Sequence, residues 1–422
     1  MSSRYAKKLR ASEINVSMFP KLLSAPPNRA EVDAMTKNTE SIVAQWRQHL
    51  HGIPGTEFDV GETANFLEEK CLEFGWEVSK GIGGAGLVAS YKAGTSPRSI
   101  GLRADMDGLP LREESGVPYS SRNPGITHAC GHDGHMAMLL GVASKLVERD
   151  DFDGTVRLLF QPAEEPGTGA QAMLDDDLLE QLPMDAIYGL HNTPGLPEGE
   201  IHVKPGPIMA SEDNFEIRIT GRGGHASTPH VVIDPMIIAA EIVLALQTIV
   251  SRSIDPLESV VVSCTEIRTD GSRNAIPEEI VISGDVRTFT DQNSQLVETR
   301  MGQLVRGISD AHRADSALVY NRVFRPTINA EACVEHVVDA ATSALGSDRV
   351  NGSCRAITAS EDFAVYARKV PACFAFLGAG EIGDTGTAPL HSHKFDFNDS
   401  ILDAGIAFYL ELVRSRLPKK WR

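Results

Sequence analysis

Between Asn214 and Val323 the chain changes rhythm, and this limits its fold more than any other feature. Asn214–Thr220 alternates apolar and polar residues, the period-two pattern of a strand with one buried face. Pro235–Val250 carries an apolar stripe at helical spacing. Ser259–Glu266 and Glu279–Arg287 read as strands divided by a turn-rich stretch, Gln295–His312 as a helix and Ala317–Val323 as a strand. That order, β-α-β-β-α-β, is the ferredoxin-like split unit. Before it, short strands at Trp76–Ser79, Leu87–Tyr91 and Ser99–Arg103 precede a helix at Met136–Leu146, a strand at Thr155–Phe160, a helix after Gly169 and a strand at Ala186–Leu190. After Pro326 the pattern resumes with a helix at Glu331–Leu345, a strand at Cys373–Leu377 and a final helix at Ile401–Leu417. The predicted fold class is α/β: a domain with a mixed sheet flanked by helices, holding an inserted ferredoxin-like α+β domain. The predicted parts are an N-terminal extension over residues 1–35, the first part of the α/β domain over 36–207, the insert over 208–325 and the second part over 326–422.

A chain of 422 residues exceeds one typical core and suits two domains. Its net charge of −17 argues against nucleic acid or an anionic membrane as partner, since phosphate binding needs a basic surface. Cysteines at 71, 130, 264, 333, 354 and 373 show no disulfide spacing, so a reducing compartment is expected. The first thirty residues lack a continuous apolar core of the secretory kind, and no apolar run approaches ~20 residues. A cytoplasmic enzyme with no membrane span is the expectation.

The densest chemistry lies in His128-Ala129-Cys130-Gly131-His132-Asp133-Gly134-His135. Glycine lets the backbone bend so that nearby side chains face one point. Thiolate and imidazole suit a borderline divalent ion such as zinc. Further donors follow strand ends, where α/β proteins gather their ligands. Thr155–Phe160 runs into Glu164-Glu165, Ala186–Leu190 into His191-Asn192, and His391-Ser392-His393 comes late in the chain. The candidate set is one thiolate, one carboxylate and three imidazoles, enough for two ions sharing ligands or one ion with an open position. In the Glu164-Glu165 pair, one carboxylate would bind metal and the other would take a proton from metal-bound water and pass it to a leaving nitrogen. Each residue alone has a plainer reading: a solvated acidic pair, a capped turn, loop histidines, a small buried cysteine.

Gly81-Ile82-Gly83-Gly84-Ala85-Gly86 matches a dinucleotide-binding pattern, with Asp105 about twenty residues on. The residues after Gly86 read as a strand and offer no helix N-terminus to a pyrophosphate, so a strand-to-strand turn is expected. In the insert, the turn Gly221–Ser227 presents His225, which could donate to an oxyanion. Asn274 lies between two strands, where Asn is a common turn former, and could also bond a substrate carbonyl or carboxylate.

Taken together, these residues make the chain resemble the M20 metallopeptidase superfamily. The resemblance is to its amidohydrolase branch of hippurate hydrolases, N-acyl-amino-acid amidohydrolases and auxin-conjugate hydrolases. It rests on Leu50-His51 with Glu62-Thr63, Arg103–Pro110, Cys130–His135, Gln161–Glu165, Gly189–Asn192, Gly221–Ser227 with Pro229-His230, Asn274–Pro277, Ser360–Phe363 and Leu390–Ser392. It covers roughly residues 40–415. The resemblance implies Cys130, His132, Glu165, His191 and His391 as metal ligands, Glu164 as general base, His225 as oxyanion stabiliser and Asn274 as substrate contact. It implies a catalytic α/β domain with an inserted lid, His225 in many relatives crossing a dimer interface. Asp107 is expected to orient a ligand or to form a turn, and Asp133 and His135 to support the loop. One departure is Leu50-His51-Gly52-Ile53-Pro54-Gly55, where the family carries a glutamate after the proline.

The function these readings imply is metal-dependent hydrolysis of the amide C–N bond of N-acyl or N-aroyl amino acids by metal-bound hydroxide. The cofactor expected is one or two divalent ions per subunit (Zn, Mn or Co). The expected partners are a small-molecule substrate and a second copy, as a homodimer or higher homo-oligomer through the lid. The rival readings are a dipeptidase or aminopeptidase on the same scaffold, an aryl C–N hydrolase of a degradative pathway, and a catalytically silent metal-binding protein.

Overall fold

A computed structural model describes residues 42–383 and 387–419. The predicted extension over residues 1–35 lies outside them.

One eight-stranded mixed sheet organises the α/β part. Its order is Glu77–Ile82, Gly86–Ala93, Gly154–Gln161, Ser99–Asp105, Ala186–Thr193, Ala372–Gly378, Ile201–His202 and Val350–Asn351. Gly154–Gln161, Ser99–Asp105, Ala186–Thr193 and Ala372–Gly378 pair in parallel with one another. These central strands are largely apolar because helices cover both faces, with polar residues such as Arg103, Asp105, Gln161 and His191 toward their C-terminal ends. In Ala372–Gly378, Cys373, Ala375 and Leu377 join one buried cluster while Phe374 and Phe376 join another. Period-two alternation thus feeds two cores from one strand. The larger core packs the helices His132–Leu146, Glu331–Leu345 and Leu402–Arg416 on one face. The Gly81–Gly86 stretch is a turn between antiparallel strands, as its sequence predicts.

Two expected boundaries shift. The helix predicted from Met136 begins at His132, and the strand predicted to end at Leu190 continues to Thr193. His132 therefore sits in a first helical turn. His191 stays within a strand because pairing with Ala372–Gly378 carries the ladder through Thr193.

The inserted segment folds on a separate core. Its four strands run in the order Val260–Thr269, Glu279–Thr288, Glu212–Thr220, Asp315–Phe324, all antiparallel. Phe215, Ile217 and Ile219 meet Ile238, Ile242, Leu246 and Ile249 from the helix Pro235–Ser253, and Val297, Met301 and Val305 from Asp291–Ala311. Where the chain enters and leaves this unit, Gly206–Met209 pairs antiparallel with Thr327–Asn329. The expectation that no apolar run approaches a membrane span needs correction. Pro235–Ser253 has 19 residues and an 18-residue window of mean hydropathy 1.5, long and apolar enough by composition alone. Here that apolarity supplies the insert's core on one face, while Met236, Ile237 and Leu244 stay exposed on another.

Candidate metal centre

The candidate ligands collect where the parallel strands end, the usual place for a site in an open α/β sheet. Asp107 follows Ser99–Asp105, Glu164 and Glu165 follow Gly154–Gln161, and His191 closes Ala186–Thr193. Cys130-Gly131-His132 forms the entry to the helix His132–Leu146. Gly131 has φ 94°, and a Cβ there would collide with the Asn192 amide, so only glycine allows the turn to pass so close. His391 arrives from the C-terminal part. Its backbone N–H donates to the Ala129 carbonyl at 2.8 Å, and its φ of 60° is uncommon for a non-glycine residue.

Cys130 Sγ lies 3.5 Å from His191 Nε2. Glu165 Oε1 is 3.9 Å from His132 Nε2, and its Oε2 is 3.6 Å from His391 Nε2. Donor atoms of Cys130, Glu165 and His391 fall within 4.8 Å of one another, as do those of His132, Glu164 and Glu165. All five predicted ligands are thus drawn together, with Glu165 common to both groups. His393 belongs to neither; its ring bonds the Arg112 carbonyl.

The donors are prepared for a cation. His132 Nδ1 donates to the Asp107 carbonyl and His191 Nδ1 to the Asn192 carbonyl, each at 2.7 Å. This leaves each Nε2 with its lone pair free. His132 Nε2 and Glu165 Oε1 are buried without a hydrogen-bond partner, a costly state for polar atoms unless something binds them. Burial pushes His132 down to about 3 and lowers His191 and His391, keeping all three neutral near pH 7. Burial, then Glu165 and Glu164, raises the Cys130 thiol well above its usual range, so a thiolate there needs a compensating cation. Thiol, imidazole and carboxylate together fit a borderline divalent ion.

A surrounding layer, mostly hidden in the sequence, holds these groups. The Asp107 carboxylate accepts the backbone N–H of Glu164 at 2.9 Å and of Glu165 at 3.2 Å. Asp107, two residues beyond the end of its strand, therefore ties the Glu-Glu turn to His132, in line with the ligand-orienting role expected of it. His135 Nδ1 donates to Asp105 at 2.6 Å, and its Nε2 accepts the Asn192 N–H at 3.1 Å. Asp133 pairs with His51 at 2.8 Å and with Arg47 at 3.6 Å. With these partners, Asp133 and His135 act as supports. Buried Arg103 reaches Asp105, Glu361 and Asp362 at 2.7, 2.9 and 3.1 Å. The available signal was one arginine inside an otherwise apolar strand.

Glu164 is buried, and burial followed by the Glu361 and Glu165 charges lifts its carboxyl well above the usual range. It lines a cleft of about 400 Å³ with Cys130, Glu165, His191 and His391. Met209, Phe324, Ile357 and Phe376 form the apolar side of that cleft. His225 and Asn274 are not among its lining residues. Both are exposed on the insert, where Gly224–His225 pairs with Ala275–Ile276 and the Ala226 N–H donates to the Asn274 carbonyl. Ser227 donates through N–H and Oγ to His225 Nδ1, at 3.1 and 2.7 Å, which leaves the ring proton on Nε2.

Donors grouped in this way around a carboxyl free to carry protons define a class, the metal-dependent hydrolases. Comparison with known proteins narrows it. The profile of Peptidase family M20/M25/M40 matches residues 101–415. The chain is 36% identical over 367 residues to a hippurate hydrolase of Campylobacter jejuni, covering 87% of this chain and 94% of that protein. It is 40% identical over 372 residues to an N-acetyl-L-cysteine deacetylase of Bacillus subtilis, covering 88% of this chain and 87% of the relative. The crystal structure of Bacillus subtilis YXEP, described as a dinuclear metal-binding peptidase of the M20 family, superposes with a TM-score of 0.79 at 31% identity, covering 90% of this chain and 99% of that one. The chain belongs to the M20/M25/M40 peptidase family, in its amidohydrolase branch, and is a metal-dependent hydrolase of amide C–N bonds.

Proposed function

We propose that the protein hydrolyses N-acyl or N-aroyl amino acids, releasing a carboxylic acid and a free amino acid. The observation that carries this reading is a second buried carboxyl beside the predicted ligands: Glu164 lines the cleft next to Glu165, together with the apolar Met209, Phe324, Ile357 and Phe376 that suit an acyl group. Cys130, His132, Glu165, His191 and His391 would hold one or two divalent ions. Such ions polarise a carbonyl and acidify water. Glu164 takes the proton of the attacking water and delivers it to the departing nitrogen. Asp107 keeps Glu164 and Glu165 at fixed separation through their N–H groups. The thiolate suits zinc, and the carboxylate and imidazoles leave room for manganese or cobalt.

In this reading the insert, residues 208–325, is a lid that also forms a homodimer or higher homo-oligomer. Support comes from the exposed apolar face of Met236, Ile237 and Leu244. His225 and Asn274 then complete the cleft of a second copy, His225 Nε2–H stabilising the oxyanion and Asn274 contacting substrate. Six free cysteines accord with a cytoplasmic setting. The test is a mass-spectrometric hydrolysis screen with added zinc, manganese or cobalt, over N-acyl amino acids, free-amino dipeptides and N-aryl amides. Release of amino acid from the acylated set is expected. Cleavage confined to free-amino dipeptides would replace this reading with a peptidase, and no cleavage at all would reject it.

A further inference from the structure

One wall of the cleft is charged, and the proposed reaction does not use it. Glu212 and Arg287 line it beside Ser360, both half-buried. They come from the insert: Glu212 opens the strand Glu212–Thr220, and Arg287 lies near the end of its neighbour Glu279–Thr288. Arg287 is the only lysine or arginine among the described residues that line the cleft, and each of its nitrogens is taken. Nη2 lies 2.8 Å from Glu212 Oε2, Nε donates to Asp285 Oδ2 at 2.9 Å, and Nη1 donates to Ser360 Oγ at 2.7 Å. One cation thus stands between two carboxylates, and the three side chains together carry a net negative charge. Glu212 Oε1 has no hydrogen-bond partner among the described residues. The surface next to it is apolar: Phe324 is the register partner of Glu212 on the adjacent strand, and Met209 lies shortly before it in the chain.

A carboxylate beside apolar side chains matches an apolar stem that ends in a cation, the form of a lysine or arginine side chain. An acidic side chain meets the reverse: the cleft's arginine is already bonded, and the nearest unpaired oxygen repels it. We infer that Glu212 is a specificity residue, selecting among N-acyl amino acids those whose side chain ends in an alkylammonium or guanidinium and rejecting those with a carboxylate. This rests on the cleft hydrolysing N-acyl amino acids. Glu212 takes no part in breaking the amide bond. A free α-amino group is also an organic cation, so the charge that Glu212 recognises has two sources, and the assay separates them.

On the metal-loaded full-length enzyme, kcat/KM is measured for N-acetyl-lysine, N-acetyl-arginine, N-acetyl-norleucine and N-acetyl-glutamate, and for glycyl-norleucine, whose only organic cation is its amino terminus. The wild type should favour N-acetyl-lysine over N-acetyl-glutamate by about 10-fold or more. Glu212→Gln removes the charge at nearly the same volume and releases Arg287. The ratio should then fall below about 2-fold, through loss on the lysine substrate and gain on the glutamate one. Glu212→Lys should invert the preference. The gain on N-acetyl-glutamate is the readout that damage to the fold does not produce. An equal ratio in wild type and Glu212→Gln would overturn the role of Glu212. So would a loss in Glu212→Gln confined to glycyl-norleucine, which would make Glu212 an anchor for a free amino terminus. No turnover of any N-acetyl substrate would reject the hydrolytic reading itself and the inference with it, a failure distinct from the other two.

Discussion

The two places where this chain gathers candidate functional side chains are built on opposite terms. In the α/β part, each predicted ligand is buried or anchored, and nearly every one is held by a partner far away in sequence. Asp107 holds the turn of Glu164 and Glu165, and Arg103 holds Glu361 across 258 positions. On the insert, His225 and Asn274 are exposed, and their bonds are to residues two or three positions away or across one short ladder. A polar group buried in a low-dielectric site is worth more and must be satisfied more completely than one in water. The core site therefore has its geometry fixed within one chain, whereas on the insert the two candidate groups lie exposed, as the proposed contact with a second copy would require.

The sharpest way to break that contrast is at Glu164. Glu164→Gln keeps the volume and the Asp107 contact to the backbone but cannot carry a proton. Turnover should fall by roughly 10²–10⁴-fold while bound metal, measured by plasma mass spectrometry, stays at the wild-type level. Loss of metal along with activity would mean that Glu164 is a ligand and that the base lies elsewhere.

The exposed side of the comparison predicts a different signature. His225→Ala should lower kcat by roughly 10²–10³-fold, the cost of one lost oxyanion donor. Thermal stability should change by no more than about 0.5 kcal/mol, because an exposed side chain with local bonds carries little of the fold. If His225 serves a neighbouring cleft, mixing Glu164→Gln and His225→Ala subunits should restore activity in the hybrids, each supplying what the other lacks. Hybrids as inactive as their parents would assign His225 to its own chain or to no catalytic role.

A smaller effect is expected one layer out from the ligands. Asp107→Asn replaces one acceptor oxygen by an NH₂ that cannot accept the N–H of Glu164 or Glu165. Leaving one buried N–H unpaired costs roughly 1–3 kcal/mol. Metal affinity, measured by competition with a chelating dye, should weaken by about 10–100-fold, the usual consequence of losing such a support. Unchanged affinity would reduce Asp107 to a turn former.

Legibility in the sequence divides along the same line. Cys130 and His132 were readable because their donors are close in sequence and chemically unusual. The β-α-β-β-α-β order of the insert was readable because each of its elements has a clean period. Less visible were the roles of Arg103, Glu361 and Asn192, because Arg103 meets Glu361 across 258 positions and Asn192 meets His135 across 57. Asp105 stood out in a nucleotide-binding decoy and within the Arg103–Pro110 motif, and in the fold it supports His135. The start of the helix at His132 was missed because the Cys130–Gly134 stretch is poor in apolar residues, while the fold buries nearly all of it. Tertiary burial there overrides local pattern.

His51 offers the finest test of the core's side of the comparison, because its charge state can be varied without touching a ligand. Its Nδ1 lies 2.8 Å from Asp133 and its Nε2 3.1 Å from Glu113, with Arg47 also facing Asp133 and the His128 ring nearby. Burial works to lower its pKa, but the bonds to Asp133 and Glu113 outweigh it and raise it from 6.5 to about 10. A pKa raised on folding adds stability that is complete below about 6.5, declines as pH rises, and is gone once pH passes about 10. Within that window the folded chain holds a proton that the unfolded chain has released, so each pH unit removes up to ~1.4 kcal/mol. His51→Gln has no such proton, and it leaves Asp133 and Glu113 without their shared cation. Its stability deficit, read from denaturant midpoints, should be greatest near pH 6, roughly 3–5 kcal/mol for a broken buried pair, and should narrow steadily toward pH 10. A deficit constant over that range would show that His51 fills space in the core without acting as its charged clamp.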